Sequence, residues 1–290
     1  MAMAVKKIIW SDRRVISVCL VLLLLAVTWC VKTYNSPGSV FWDMIDNNLS
    51  TRSITKHVVS DEAGTKSDQY TQISFGAQNF SHNVVTLTQN QGDTSTVIKT
   101  ESIGTPSVDF SRYNSIETNR KNAAGQLPDF SKIRGIWGKN DTNTQYLSQA
   151  MFGVVPFANL NPAQRSKILK LMKDTKVYDT AFDKVTTQNG NYVYNVSLNP
   201  LPYIKLLKEL SKVTGITVLA DVNPDTYQNA PSVKLMFTVS KYSHQLKDIK
   251  YTDEQGLEES YESHGILSSI QIPGNTIPIN ELESRVVNVQ

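Results

Sequence analysis

Seventeen consecutive residues near the start of the chain, Val15–Val31, carry no charge, and basic side chains stand directly before them. An α-helix of that length rises about 25 Å, close to the least that crosses the hydrocarbon core of a bilayer. Lys6, Lys7, Arg13 and Arg14 precede the run, and Lys32 follows it. This excess of basic residues on one side predicts a cytoplasmic N-terminus, with everything after Tyr34 outside. The expected division is a basic cytoplasmic tail (1–14), a single-pass signal anchor (15–33), a linker (34–39) and an extracytoplasmic domain (40–290) at the cell membrane. Two other fates of the run stay open. A cleaved signal peptide has a shorter apolar stretch and small residues at the cut, where this chain has Ala26-Val27-Thr28-Trp29. Acylation on Cys30 needs small residues just before it, and Trp29 occupies that place.

The tail's four basic side chains against Asp12 equal the whole chain's formal charge of +3, so the remainder is close to neutral. Charge gives no reason to expect a nucleic-acid partner. Both cysteines, Cys19 and Cys30, lie inside the apolar run. The exported domain therefore has no disulfide, thiol nucleophile or cysteine metal site, and it is long enough to bury a core without such staples.

Chemistry-bearing motifs are equally sparse. The four histidines (His57, His82, His244, His264) form no His-Glu-x-x-His helix and no close pair with metal-ligand spacing. Glu258, Glu262 and His264 would share one strand face, which reads as a solvated polar face. No Gly-x-Ser-x-Gly elbow occurs, and Gly135-Ile136-Trp137-Gly138-Lys139 is too short for a phosphate loop. The pairs Asp221/Asp225 and Glu258/Glu259 sit in polar surroundings. The sequence thus predicts no enzyme, no cofactor and no metal. Asn-x-Ser/Thr sequons at Asn48, Asn79, Asn140 and Asn195 matter only where a host glycosylates.

Local patterning organises the domain. Ser36-Pro37-Gly38-Ser39 is a breaker, and Phe41, Met44, Ile45 and Leu49 then recur at helical spacing. From Ser53 to about Trp137 the period changes to two. Strands are expected at Tyr70–Phe75, Val84–Thr88, Thr94–Ile103, Ser107–Tyr113 and Lys132–Trp137, in an antiparallel meander. Met151–Phe157 is apolar without a period and reads as buried. Asn161-Pro162 opens a helix carrying Ile168, Leu169 and Met172. Ala181–Thr187 and Tyr192–Leu198 flank Asn189-Gly190, a hairpin signal. Leu201–Val213 reads as a helix with the stripe Ile204, Leu207 and Leu210, closed by Gly215. Long strands are expected at Ser232–Tyr242, Gln245–Thr252 and Leu257–Ile270, and a helical turn near Glu281-Leu282.

The order of these parts resembles the LolA/LppX-like envelope proteins, periplasmic lipoprotein carriers and lipoproteins that hold acylated lipids. The likeness is strongest over residues 181–282. It rests on the hairpin Asn189-Gly190-Asn191-Tyr192-Val193-Tyr194, on Lys247-Asp248-Ile249-Lys250-Tyr251 ahead of Glu258-Glu259-Ser260-Tyr261, and on the closing Ile270-Gln271-Ile272-Pro273-Gly274-Asn275. The resemblance implies an α+β fold, a curved antiparallel β half-barrel with helices packed in its concave face. It also implies a hydrophobic cavity for acyl chains between sheet and helices. Members are normally cleaved and free, or lipidated on cysteine, whereas a retained helix would make this chain a tethered holder.

Residue by residue, the candidate cavity lining is the apolar side of two strands and of one helix: Tyr192, Tyr194, Val196, Leu235, Phe237 and Val239, with Ile204 and Leu207. The same periodicity fits an ordinary sheet-on-helix core. Two functions follow from these alternatives. One is a membrane-anchored domain that binds or hands over a lipid or lipoprotein. The other is a non-catalytic envelope scaffold with a filled core, docking another envelope protein.

Overall fold

Short side chains alternating with aliphatic ones build extended chain, and here they assemble a single sheet. A computed structural model describes residues 33–76, 79–122, 125–142, 144–216, 222–252, 256–266 and 269–287. The apolar run and the basic tail lie outside the described residues. Among the described residues no helix is long and apolar enough to cross a membrane.

The first part of the domain is the expected meander: β1 (Ser53–Glu62), β2 (Thr65–Phe75), β3 (Asn79–Gln91), β4 (Thr94–Gly104), β5 (Asp109–Thr118) and a short β6 (Trp137–Asn140). The later part contributes β7 (Tyr178–Thr180), β8 (Thr186–Gln188), β9 (Asn191–Leu198), β10 (Val233–Ser240), β11 (Leu246–Tyr251) and β12 (Glu258–Glu262). A final β13 (Thr276–Pro278) lies parallel to β6, whereas the other pairings are antiparallel. The spatial order is β13-β6-β5-β4-β3-β2-β1-β12-β11-β10-β9-β7, with β8 pairing on β9. The β1–β12 pairing, with Lys56 opposite Tyr261 and Val58 opposite Glu259, joins the two parts into one curved, unclosed sheet.

Among the described residues five α-helices lie with it: α1 (Pro37–Leu49), α2 (Tyr146–Met151), α3 (Pro162–Asp174), α4 (Pro200–Thr214) and α5 (Ile279–Val287). The result is a mixed α+β fold. Their boundaries follow from local chemistry. The Ser36 side chain accepts from the Ser39 amide at the start of α1, and Pro37 fixes its first turn. Asn161 and Gln164 make a reciprocal capping box on α3. Gly215, at φ 72°, ends α4 in the left-handed conformation.

The sheet has one apolar and one wet half on its concave side. In the apolar half, β9, β10 and β11 present buried aromatic and aliphatic side chains to α1, α3 and α4. Val40, Phe41, Met44, Ile45 and Leu49 of α1 are fully buried there. The apolar segment Met151–Phe157 is mostly buried, as its composition predicts. Asn48 is also buried, so its sequon is closed to modification.

Several expected elements are displaced. Lys132–Trp137 is mainly turn, and the strand starts only at Trp137. Ala181–Thr187 is not a strand throughout. Phe182–Lys184 is a 3₁₀ turn that carries the Phe182 ring to 5.7 Å from Phe41, and pairing begins at Thr186. The expected long strand Leu257–Ile270 stops at Glu262, because Ser263 takes φ 55° and the His264 ring bonds the Leu246 carbonyl (3.1 Å). On α4 the buried stripe is Leu206, Leu207 and Leu210, with Ile204 only partly covered.

Phe41 is the central side chain of this arrangement, with rings of Trp42, Tyr178, Phe182, Tyr194 and Phe237 around it. Phe41→Ala is expected to lower unfolding stability by about 3–5 kcal/mol, the range for a large aromatic removed from a packed core. Chemical denaturation followed by tryptophan fluorescence measures it.

Candidate functional site

The eight residues expected to line a cavity fall on two strands and one helix, and the sheet register brings six of them into rows. Leu235 lies opposite Val196, Phe237 opposite Tyr194 and Val239 opposite Tyr192. All six point to the concave side and are buried, as is Leu207 on α4; Ile204 remains at the margin. The space in front of them holds α1. The Phe41 ring centroid stands 5.3 Å from that of Tyr194 and 6.2 Å from that of Phe237. The Tyr192 and Tyr194 hydroxyls donate to the carbonyls of Asn35 (2.8 Å) and Pro37 (2.9 Å), which pins the chain entering α1. Burial first, and then the neighbouring Tyr192, push the Tyr194 hydroxyl well above its ordinary range, so it stays a neutral donor. Withdrawing five buried apolar side chains of α1, at about 1.5–3 kcal/mol each, would cost on the order of 10 kcal/mol. That is comparable to the whole stability of a typical domain.

A buried charge pair closes this apolar half. The sequence places Glu258 and Glu259 together in polar surroundings, but strand alternation separates them. Glu258 points outward to Lys250 (3.0 Å), whereas Glu259 points inward and is only 6% exposed. The hydroxyls of Tyr251 (2.9 Å) and Tyr261 donate to its two carboxylate oxygens, and the Lys56 ammonium lies 3.9 Å away. Burial, reinforced by the Glu259 charge, pushes the Tyr261 hydroxyl well above its usual range. Tyr203 is raised by the same two causes and donates to the Gly153 carbonyl. This network is internally satisfied, and its geometry is that of a clamp. Its inward face was signalled by the apolar cross-strand neighbours of Glu259, Val58 and Ile249.

The wet half contains a partly open cavity. Two glycines inside strands let helices approach the concave face, the usual meaning of glycine in a strand. A Cβ on Gly104 would collide with the Leu147 backbone nitrogen of α2, and one on Gly138 would stand 2.8 Å from Ile279 of α5. Between these helices and β4–β6 lies a cavity of about 340 Å³. Its walls combine Thr100, Ser102 and Ser111 with Tyr113 and Tyr146, the acids Asp109 and Glu283 with the apolar Leu282, and Arg112, whose guanidinium donates to Glu101 (2.9 Å). Asp109 Oδ2 accepts from the backbone amides of Gln145 (2.6 Å) and Tyr146 (3.1 Å), capping α2. Its Oδ1 is buried with no partner among the described residues. Burial raises the Asp109 carboxyl above the usual carboxylate range, against the lowering by those two amides. Burial also raises Tyr113, helped by Glu283, and Tyr146, despite a hydrogen bond with Ser111. The eight expected residues do not line this cavity. Sequence reading missed it because Asp109 and Ser111 look like any polar strand residues; the usable signals were Gly104 and Gly138.

Each of three histidines pairs with a carboxylate: His57 with Asp68 (2.9 Å), His82 with Glu101 (2.8 Å) and His244 with Asp43 (3.0 Å). Among the described residues no group of histidine, cysteine and acidic side chains has metal-site geometry.

No protein-family model and no curated protein matches this chain. Among solved structures, LprF from Mycobacterium bovis aligns over 82% of this chain and 96% of its own, at 10% identity and a TM-score of 0.39. This is a distant likeness of fold.

Two outcomes follow from the buried acids. Lys56→Met leaves Glu259 buried without its cation and is expected to cost about 3–5 kcal/mol in denaturant unfolding, most of it recovered in Lys56→Met/Glu259→Leu. For Asp109 the folded carboxyl titrates above the unfolded one, so the folded state binds more protons and wild type loses stability as pH rises through that interval. Asp109→Asn has no such titration. Its stability relative to wild type is expected to increase from pH 3 to pH 6, as thermal melts across that range would record.

Proposed function

We propose that this chain is a membrane-anchored, non-catalytic interaction protein of the cell envelope, with its half-barrel outside the membrane. The apolar half of the concavity is occupied by its own juxtamembrane helix, and recognition falls to the wet half. One observation carries this reading: α1 fills the surface that a hydrophobic ligand would need. The basic-flanked apolar run supports the anchor, since it ends two residues before the first described residue, Thr33.

A second reading, the holding of lipid or lipoprotein acyl chains, has a specific observation in its favour. The surface under α1 is continuous and apolar, and α1 is the segment that follows the membrane run. An acyl chain that took the place of α1 would meet Tyr194, Val196, Leu235 and Phe237.

Native mass spectrometry separates the two. The fragment 33–290 retains the Ser36 cap and the Tyr192 and Tyr194 bonds to the chain before α1. Exported and purified without detergent, it is expected to give a clean apo mass that host lipid extract leaves unchanged. A removable mass of lipid size would replace the first reading with the second. A filled core also predicts that Val239→Trp lowers unfolding stability by about 1–3 kcal/mol through overpacking, as calorimetry would show, whereas an open pocket would absorb the ring at little cost.

A further inference from the structure

We infer that the end of the half-barrel at which the chain enters is a membrane-contact rim, and that its partner is the headgroup layer of the bilayer holding the anchor. The inference rests on the reading of the apolar run 15–31 as an anchor, and it adds an orientation to that reading.

Antiparallel pairing puts successive turns at opposite ends of a sheet. At one end lie the β4–β5 turn, where the Val108 carbonyl accepts from the Thr105 amide (3.0 Å), and the β10–β11 turn, where the Gln245 carbonyl accepts from Ser240 (2.9 Å). The Asn189-Gly190 turn joins them, since the Lys241 amide donates to the Gly190 carbonyl (3.1 Å). So does the start of β1, where the Ser53 carbonyl accepts from the Gly265 amide (2.8 Å). The chain enters at this same end: Tyr192 holds the Asn35 carbonyl, and the Tyr34 ring lies 4.5 Å from that of His244.

Seven large apolar side chains are exposed among the described residues, and four of them, Tyr34, Tyr242, Ile266 and Ile272, stand on this rim. Ile272 borders an open hollow with Pro106 and Val108 of the β4–β5 turn. Beside Tyr242, the Lys241 ammonium lies 5.5 Å from the centre of the Tyr192 ring. The turns at the opposite end, Ala63-Gly64 and Gly92-Asp93, hold no large apolar side chain.

Distance selects the partner. Val31 closes the apolar run, and the three residue steps from it to Tyr34 span at most about 11 Å when fully extended. The headgroup region outside the hydrocarbon core is about 5–8 Å thick on each side. A rim fastened at Asn35 and this close to the hydrocarbon boundary meets headgroups before it meets a protein. Its chemistry fits that layer. Tyrosine sets an apolar ring and a hydroxyl across a boundary between dry and wet, and is enriched at membrane interfaces. Lysine lays its stem on apolar surface and keeps its ammonium in water. The two isoleucines bury apolar area there that water would otherwise cover.

The test uses the full chain with Cys19→Ser and Cys30→Ser, reconstituted into phosphatidylcholine vesicles that carry a nitroxide on part of their headgroups. A fluorophore is attached either at Ser107→Cys, in the β4–β5 turn of the rim, or at Asp93→Cys, at the opposite end. Fluorescence at position 107 is expected to be quenched several-fold more than at position 93. In the variant Tyr242→Ser/Ile266→Ser/Ile272→Ser that excess should disappear, with circular dichroism showing the fold retained, as all three side chains are exposed. Equal quenching at the two positions would overturn the rim. Excess quenching that survives the triple substitution would mean that the tether alone sets the orientation, and would equally overturn the contact. Flotation with the vesicles keeps this result apart from the anchor reading. A chain that does not float refutes the anchor and the rim with it, whereas a floating chain without excess quenching at 107 refutes the rim alone.

Discussion

An open sheet with an apolar concave face has to be covered, and here the cover is the first helix of the domain. In a closed barrel the inner residues of opposite strands fill the lumen for one another. This sheet ends at β7 on one side and β13 on the other, so its inner aromatic residues have no opposing strands. Phe41 and its neighbours on α1 stand in for them, and α3, α4 and the segment after α2 complete the layer. The remaining architecture follows from that placement. Tyr192 and Tyr194 bond the chain entering α1, Phe182 turns inward to reach Phe41, and the strand it would have extended gives way to a 3₁₀ turn.

The parts of the fold legible in sequence are those whose signal is local. The helix start at Asn161-Pro162, the Asn189-Gly190 turn and the Gly215 stop each depend on residues within a few positions and formed where their chemistry directs, whereas the helix expected over 40–49 begins three residues earlier, at Pro37, inside the stretch read as a breaker. Positive φ at both Asn189 (49°) and Gly190 (76°) is the backbone that an Asn-Gly hairpin requires. What misled was decided at a distance. The inward turn of Phe182 answers to α1, more than a hundred positions away, and β12 ends where Ser263 turns back, despite a sequence that continues in strand-like alternation. Ile204 against Leu206 is the helical version of the same limit, since both fit a stripe and only the packing partner selects one.

Site residues followed the same division. Periodicity correctly grouped Tyr192, Tyr194 and Val196 with Leu235, Phe237 and Val239, because alternation and register are all that grouping needs. Whether the grouped face meets a ligand or a helix depends on where α1 travels, which no strand pattern records. Glu259 shows the converse. A glutamate beside another glutamate reads as solvated, yet the strand's two-residue period forces one of them inward, where two tyrosine hydroxyls and a lysine surround it.

The placement of α1 also couples the start of the domain to its core. Were the chain before Pro37 joined to the domain by a free linker, the domain's stability would be independent of it. Instead the junction at Asn35–Pro37 is bonded by two core tyrosines, and the next helix supplies the central side chain of the core. A pull on the chain at Asn35 is thus applied to buried structure at once, with no slack to absorb it. The wet half, held through β1–β12 and by helices seated on Gly104 and Gly138, takes no part in that contact. A fold divided in this way has one apolar half closed by its own helix and, beside it, a half lined by hydroxyls and charges.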